Sequence, residues 1–300
     1  MSSSRMFAVN SFDFLEILTY FFAWTTLYFL LCLWNPSRSY EWHCRTVTVL
    51  HAVGITLMAI YSTYVIGPWP FTSAGGPNSP MQIRTVGLCL AYFLFDFGWC
   101  LYFKTEGPVM IAHHLLSIVG LSWCLFAGYY GTELVATIGG AEVTNPLLQL
   151  RWFLRQTGYY KTIAGDIVDW AFILSFGFIR IILGSMLLYS YYQQDTDFWG
   201  RLGGTCIYII GWIFFLGILN YVIRKYSRRY TNRVGKVSAN EATGSQRNGS
   251  VASTSEDFPR QDVKTCVGGV TGEQEILSVR EIKDGNNGLF VRDAFKNSCS

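Results

Sequence analysis

The sequence predicts an all-α membrane protein with seven transmembrane helices, its N-terminus outside and its C-terminus in the cytoplasm. Three observations lead there. Apolar runs of about twenty residues, the length a helix needs to cross a bilayer, recur through the first three-quarters of the chain. Only 14% of the residues are charged, against roughly a quarter in soluble domains, and 51% are hydrophobic. Basic residues collect on alternate connections, as they do on cytoplasmic loops.

The spans fall at 14–34, 46–67, 83–103, 109–130, 132–150, 163–190 and 202–223. They are helices because an open strand cannot satisfy its backbone in lipid. The first is too long for the apolar region of a signal peptide, and no small-residue cleavage site follows it. It is therefore expected to stay in the protein. The fifth is the weakest by hydropathy, since it holds Glu133, Gly139, Gly140, Glu142, Asn145, Pro146 and Gln149.

Charge decides in favour of the fifth span. The connections after spans 1, 3 and 5 carry Arg38 and Arg45, then Lys104, then Arg151, Arg155 and Lys161. The tail opens with Arg224, Lys225, Arg228 and Arg229. The opposite connections carry Arg84 at a span edge, and Arg201 beside Asp195 and Asp197. Without the fifth span these basic groups would divide between two faces.

Three regions follow: 1–44 with the first span, 45–225 with the other six, and a 226–300 tail. Thirteen of the 23 lysines and arginines lie after Leu219. Beyond Gly235 the tail is rich in Ser, Thr, Gly, Asn and charge, too polar to repay ordering, so disorder is expected. The basic segment 224–236 reads equally well as a seat for anionic lipid and as the topology signal alone. Asn248-Gly249-Ser250 is cytosolic on this topology and so not glycosylated, and Cys299 forms no prenylation box. Five cysteines lie inside spans, and no disulfide framework is expected.

His113 and His114 sit together inside span 4. Ionisable groups in hydrocarbon cost about 2.5–3.5 kcal/mol each and persist where they face protein or a wet cavity. At 1.5 Å per residue the pair lies roughly 6–8 Å from the inner end of its span, and Asp96 lies about 12 Å above Lys104. Glu142 and Asn145 approach the inner end of span 5. Asp166 and Asp169 begin span 6, and His51 and Asn220 lie near inner ends of theirs. This segregation predicts a cavity opening to the cytoplasm.

Spacing refines the candidates. His113 and Ser117 are four apart, on one helical face. His114 is turned about 100° away. Glu142, Asn145 and Gln149 form one polar stripe, and Pro146 frees a carbonyl beside Glu142, as in broken helices that line cavities. The catalytic candidates are His113, His114, Glu142, Asp96 and Asp169. The substrate-binding candidates are Asn145, Gln149, Ser117, Arg151 and Arg155. Arg180 reads as a structural ion-pair partner, and His51 and Asn220 as packing. No metal is expected, because H-x-x-x-H and C-x-x-C spacings are missing. Nucleotide-binding loops and nucleophile elbows are missing too, and nothing points to nucleic acid. A seven-span receptor is disfavoured: the paired outer cysteines, the Asp-Arg-Tyr end of span 3 and the Asn-Pro-x-x-Tyr of span 7 are not there.

His113-His114, the run 131–137 and the run from Glu142 through Asn145-Pro146 to Trp152 resemble the TLC-domain family of multi-pass membrane proteins, over roughly residues 45–225. The ceramide synthases are its best-known members, and the match is nearest to a little-characterised subgroup. The resemblance implies a six-helix core formed by spans 2–7, one added N-terminal span, and a lipid-accessible central cavity. In ceramide synthases the tandem histidine is required for N-acylation of a long-chain base by acyl-CoA, and two acidic residues three apart follow on the next span. Glu142 and Asn145 stand at the matching positions, so an amide replaces one carboxylate. The expected function is membrane lipid metabolism or homeostasis, with two readings. One is an acyl-CoA-dependent lipid acyltransferase using the tandem histidine, with acyl-CoA as co-substrate and no bound cofactor. The other is a non-catalytic protein that binds or regulates membrane lipid. Endoplasmic reticulum and plasma membrane are both compatible locations.

Overall fold

The structure is a computed structural model and describes residues 11–248. The weight of the tail beyond Asn248, Cys299 included, lies outside the described residues. Among the described residues the regular structure is helical throughout. Among the described residues, those up to Ile218 form one compact unit, and Leu219–Asn248, all helix, belong to a second.

Local chemistry sets the helix ends. α1 covers Ser11–Trp34. α2 (Tyr40–Ile60) starts on Ser39, whose hydroxyl accepts from the Trp42 N–H, and continues as a π-helical turn, Tyr61–Ile66. α3 (Pro80–Phe103) opens with a reciprocal cap between Ser79 and Gln82, and Pro80 stands where no helical donor is lost. α4 (Pro108–Ala127) starts on Gly107-Pro108 and stops at Gly128, whose φ of 75° a side chain would strain.

The expected fifth span is two short helices, α5 (Gly131–Glu142) and α6 (Asn145–Gln156), of 12 residues each. The break falls where Pro146 removes a donor from the first turn of α6. α7 (Ile163–Phe176), a π-helical segment (Gly177–Leu183) and α8 (Gly184–Gln193) make one long apolar rod. α9 runs Phe198–Asn248. It does not stop where the composition changes at Gly235, since no proline interrupts the chain between Pro146 and Pro259.

Among the described residues six helices are long and apolar enough to cross a membrane: Phe14–Trp34, Tyr40–Ile66, Pro80–Phe103, Pro108–Ala127, Ile163–Gln193 and Phe198–Arg228. Leu33, Trp34 and Phe22 of α1 stay 77%, 84% and 61% exposed, apolar surface suited to lipid. Inside, α1 lies on α3, and Tyr28, Val47, Tyr92 and Phe95 close that contact. A second cluster joins α2, α3, α4 and α5 through Ile55, Val86, Leu121 and Val135. His51 belongs to the packing: it is fully buried and stacked on Tyr92, ring centroids 3.7 Å apart.

In the first unit α2 begins, α3 ends and α6 ends at one extremity, which carries Arg38, Arg45, Lys104 and Arg155; we call it the basic end. The loop 67–79 marks the other. Its backbone is pinned there: Ala74 N–H donates to Gln194 (2.6 Å), Gly75 N–H to Glu133 (3.1 Å) and Asn78 N–H to the Gly128 carbonyl (2.9 Å).

α5 lies close on α2 at Gly139, where an added Cβ would stand 2.7 Å from the Ala59 methyl. Gly139→Val is expected to cost about 1–3 kcal/mol by overpacking. Gly54→Ala, where nothing lies within 4 Å, is the matched control. Thermal unfolding of the detergent-solubilised protein, followed by size-exclusion fluorescence, reads the difference.

Candidate functional site

The two histidines part company. The His114 ring turns to α3, where Nε2 lies 2.8 Å from Asp96 Oδ2 while Nδ1 meets the Met110 carbonyl at 2.9 Å. A carbonyl only accepts, so Nδ1 carries a proton. The Nε2–Oδ2 contact then needs a proton on one of its two atoms, which makes the His114–Asp96 pair neutral overall. His113 faces the other way, between Phe93 and Phe214, with ring centroids 6.0 and 5.5 Å away.

His113 lies on the wall of a cavity of about 490 Å³. Ser117, one turn further along α4, lies on the same wall. Glu142 reaches it from the end of α5 and Arg180 from the π-helical segment. A π-helical turn shifts side chains off the regular register, a device frequent at functional sites. Most other lining residues are apolar or aromatic, among them Phe93, Leu121, Ile179 and Leu187. Arg180 donates through Nη2 to the Ala141 carbonyl (2.6 Å), and its guanidinium carbon sits 4.9 Å over Phe176. Four buried polar atoms of cavity-lining residues have no hydrogen-bond partner: His113 Nδ1, Arg180 Nε, Thr56 Oγ1 and the Tyr191 hydroxyl.

The cavity does not open as the sequence predicts. From His113 and Glu142 its walls run away from the basic end, to Tyr64, Trp69, Phe71 and Trp199 beside the loop 67–79. The basic end is filled instead. Arg45 there holds Glu41 at 2.8 Å and Glu106 at 3.8 Å, and its guanidinium lies over Trp152. Burial pushes the Glu106 carboxyl up, against the pull of Arg45.

From Arg45 a chain of hydrogen bonds leads inward. Arg45 Nη1 donates to Gln149 Oε1 (2.9 Å), Gln149 Nε2 to Asn145 Oδ1 (3.1 Å), and Asn145 Nδ2 to Glu142 Oε2 (3.1 Å). The polar stripe on span 5 is therefore one connected strand of side chains. Only its last member, Glu142, reaches the cavity; Asn145 and Gln149, expected on substrate, bond to each other.

Asp169 and Arg151 also stand elsewhere than expected. Arg151 Nε donates to Asp169 Oδ1 at 2.6 Å, with 2% and 0% of the two side chains exposed, and the Tyr160 hydroxyl donates to both carboxylate oxygens. Arg155 packs its guanidinium on the Tyr160 ring and bonds its hydroxyl. These four residues form a clamp between α6 and α7, outside the cavity lining. Sequence reasoning passed over Arg180 as a cavity residue, because its neighbours depend on a π-helical turn that periodicity does not register. It also passed over Cys44 and Cys100. Cys100 stands four residues after Asp96 on one face of α3, a spacing that could have drawn attention.

Two comparisons with known proteins bear on the site. The TLC domain model, TRAM_LAG1_CLN8, matches residues 41–224, which contain every site residue named above. TLC domain-containing protein 4-B of Xenopus laevis is 23% identical over 190 residues, covering 59% of this chain and 69% of the relative.

The clamp makes a definite prediction. Asp169→Asn leaves the Arg151 cation buried without its counter-charge, which is expected to cost about 3–5 kcal/mol. The midpoint of thermal unfolding in detergent checks it. A shift no larger than that of an exposed lipid-facing substitution such as Leu33→Ala contradicts it.

Proposed function

The chain belongs to the TLC-domain family, and from that premise we propose that it transfers an acyl group to a membrane lipid, with His113 as general base. One observation carries the reading. Unpartnered His113 Nδ1 and Arg180 Nε line one apolar cavity, which suits a molecule with a polar head and a long apolar tail. Buried polar groups without partners are costly unless a ligand completes them.

The acyl donor is acyl-CoA. The attacking hydroxyl or amine of the acceptor lipid loses its proton to His113 as the new bond to the acyl carbon forms. Arg180 faces the charge that develops on the acyl oxygen, the role of an oxyanion-stabilising donor. The carbon–sulfur bond then breaks, and the proton returns from His113 to the departing thiolate. Ser117 lies beside the head, and Glu142 closes the floor. His114, bonded to Asp96, holds α4 in register and is a positioning residue. Neither of the two arginines expected at a CoA phosphate keeps that role in this proposal: Arg151 is buried against Asp169, and Arg155 packs on Tyr160 away from the cavity.

A second reading has its own support. Asn145 stands where ceramide synthases have a carboxylate, and the filled basic end leaves His113 without an open path from that side. Both favour a protein that binds lipid and regulates membrane composition without turnover.

Purified wild type and His113→Ala, incubated with acyl-CoA and mixed lipid acceptors, separate the readings. Acyl transfer is expected to fall about 10²-fold or more in the variant, the usual share of a general base. Lipid that copurifies with wild type but is never acylated sinks the transferase and leaves the binding protein.

We also infer seven crossings, N-terminus out and C-terminus in, with α5 and α6 as one broken span. In support, Gly131 N–H at the start of α5 donates to Asn78 beside the start of α3, while Trp152 of α6 packs on Trp42 at the start of α2. The pair thus runs the length of its neighbours. With only the cytosolic face opened by selective permeabilisation, a C-terminal epitope is expected to be labelled and an N-terminal one is not. Labelling of both from one side rules out an odd number of crossings.

A further inference from the structure

We propose that Cys44, Asp96, Cys100 and His114 form a zinc site joining α2, α3 and α4 at the basic end of the fold. Donor atoms of Asp96, Cys100 and His114 all lie within 4.8 Å of one another. Cys44 Sγ, from the first turns of α2, stands beside this group, 3.6 Å from Asp96 Oδ1, and moves in as the fourth donor when the cation binds. Both sulfurs and the imidazole are buried, with 3%, 5% and 4% of Cys44, Cys100 and His114 exposed.

The donor set suits zinc. Structural zinc takes four ligands from cysteine, histidine and carboxylate in a tetrahedron, whose donors stand about 3.3–3.8 Å apart. The Cys44–Asp96 separation already falls in that range. The His114–Asp96 contact of 2.8 Å needs to open by about half an ångström when a cation enters between the two. Thiolate with imidazole disfavours magnesium and calcium, which take oxygen.

The surroundings have the form of a metal site's outer layer. A ligating histidine nearly always commits its second ring nitrogen to a carbonyl or carboxylate, which fixes the tautomer and aims the other nitrogen at the metal. His114 Nδ1 does this with the Met110 carbonyl, leaving Nε2 pointed into the cluster. Two thiolates and one carboxylate around Zn²⁺ leave one net negative charge. Arg45, the residue after Cys44, carries the opposite charge at the basic end. The ligands come from three helices, which is why no short metal motif marks them.

The full-length protein, purified in detergent from cells grown with zinc, is the material for the test. Elemental analysis by mass spectrometry is expected to find close to one zinc per chain. Cys100→Ser and Cys44→Ser are expected to lower that at least tenfold, while Cys206→Ser on α9 leaves it unchanged. Cobalt exchanged into the wild type reads the same site without any substitution, as a thiolate-to-cobalt charge-transfer band. Less than a tenth of a zinc per chain with no cobalt band, or a zinc content that Cys100→Ser does not change, overturns the proposal.

Discussion

Arg45 and Glu142 are joined through two amides, and every donor in the chain points the same way. A bilayer offers no water to complete a side chain, so a polar group placed between helices is best satisfied by partners within the protein. The cation stands at the basic end of α2 and the carboxylate at the cavity floor. Asn145 and Gln149 pass the polarity from one to the other, and bonds aligned in this way strengthen each other. The chain crosses the break between α5 and α6, where backbone bonds alone cannot hold the two short helices in line. It therefore fixes both the broken segment and the place of Glu142 in the cavity.

The histidine pair shows the same economy of partners. One helical step separates the rings by about 100°, enough to send them to different neighbours. His114 is completed by protein on both nitrogens, and a zinc ion would complete it in another way. His113 keeps a nitrogen open toward the cavity. The two residues share the cost of being in the membrane but divide its uses: one anchors α4, and the other meets whatever fills the cavity.

Hydropathy was enough to find most of the fold. Span 1 was read at 14–34 and stands at Phe14–Trp34. Arg45 reads from sequence as part of the connection before a span at 46–67, yet it pairs with Glu41 four residues back on the helix and α2 begins at Tyr40. The glycines and Pro146 of span 5 signalled irregularity, and the chain breaks there. Periodicity also placed Glu142, Asn145 and Gln149 on one face. It could not tell that Arg45 waits opposite that face, so two structural amides looked like substrate ligands. Asp169 reads from sequence only as a carboxylate in the first turns of its span; position does not name a partner, and Arg151 from α6 is a tertiary fact. The direction of the cavity failed for the same reason: polar residues near an end can line a mouth or plug it.

The loop 67–79 works as a tie between helices that are far apart in the chain. Its backbone is fastened to Glu133 on α5, to Gln194 after α8 and to Gly128 after α4, and Ser190 bonds the Phe71 carbonyl beneath it. Thirteen residues thus hold the ends of three helices in one place, and the loop cannot shift at one point without loosening all three.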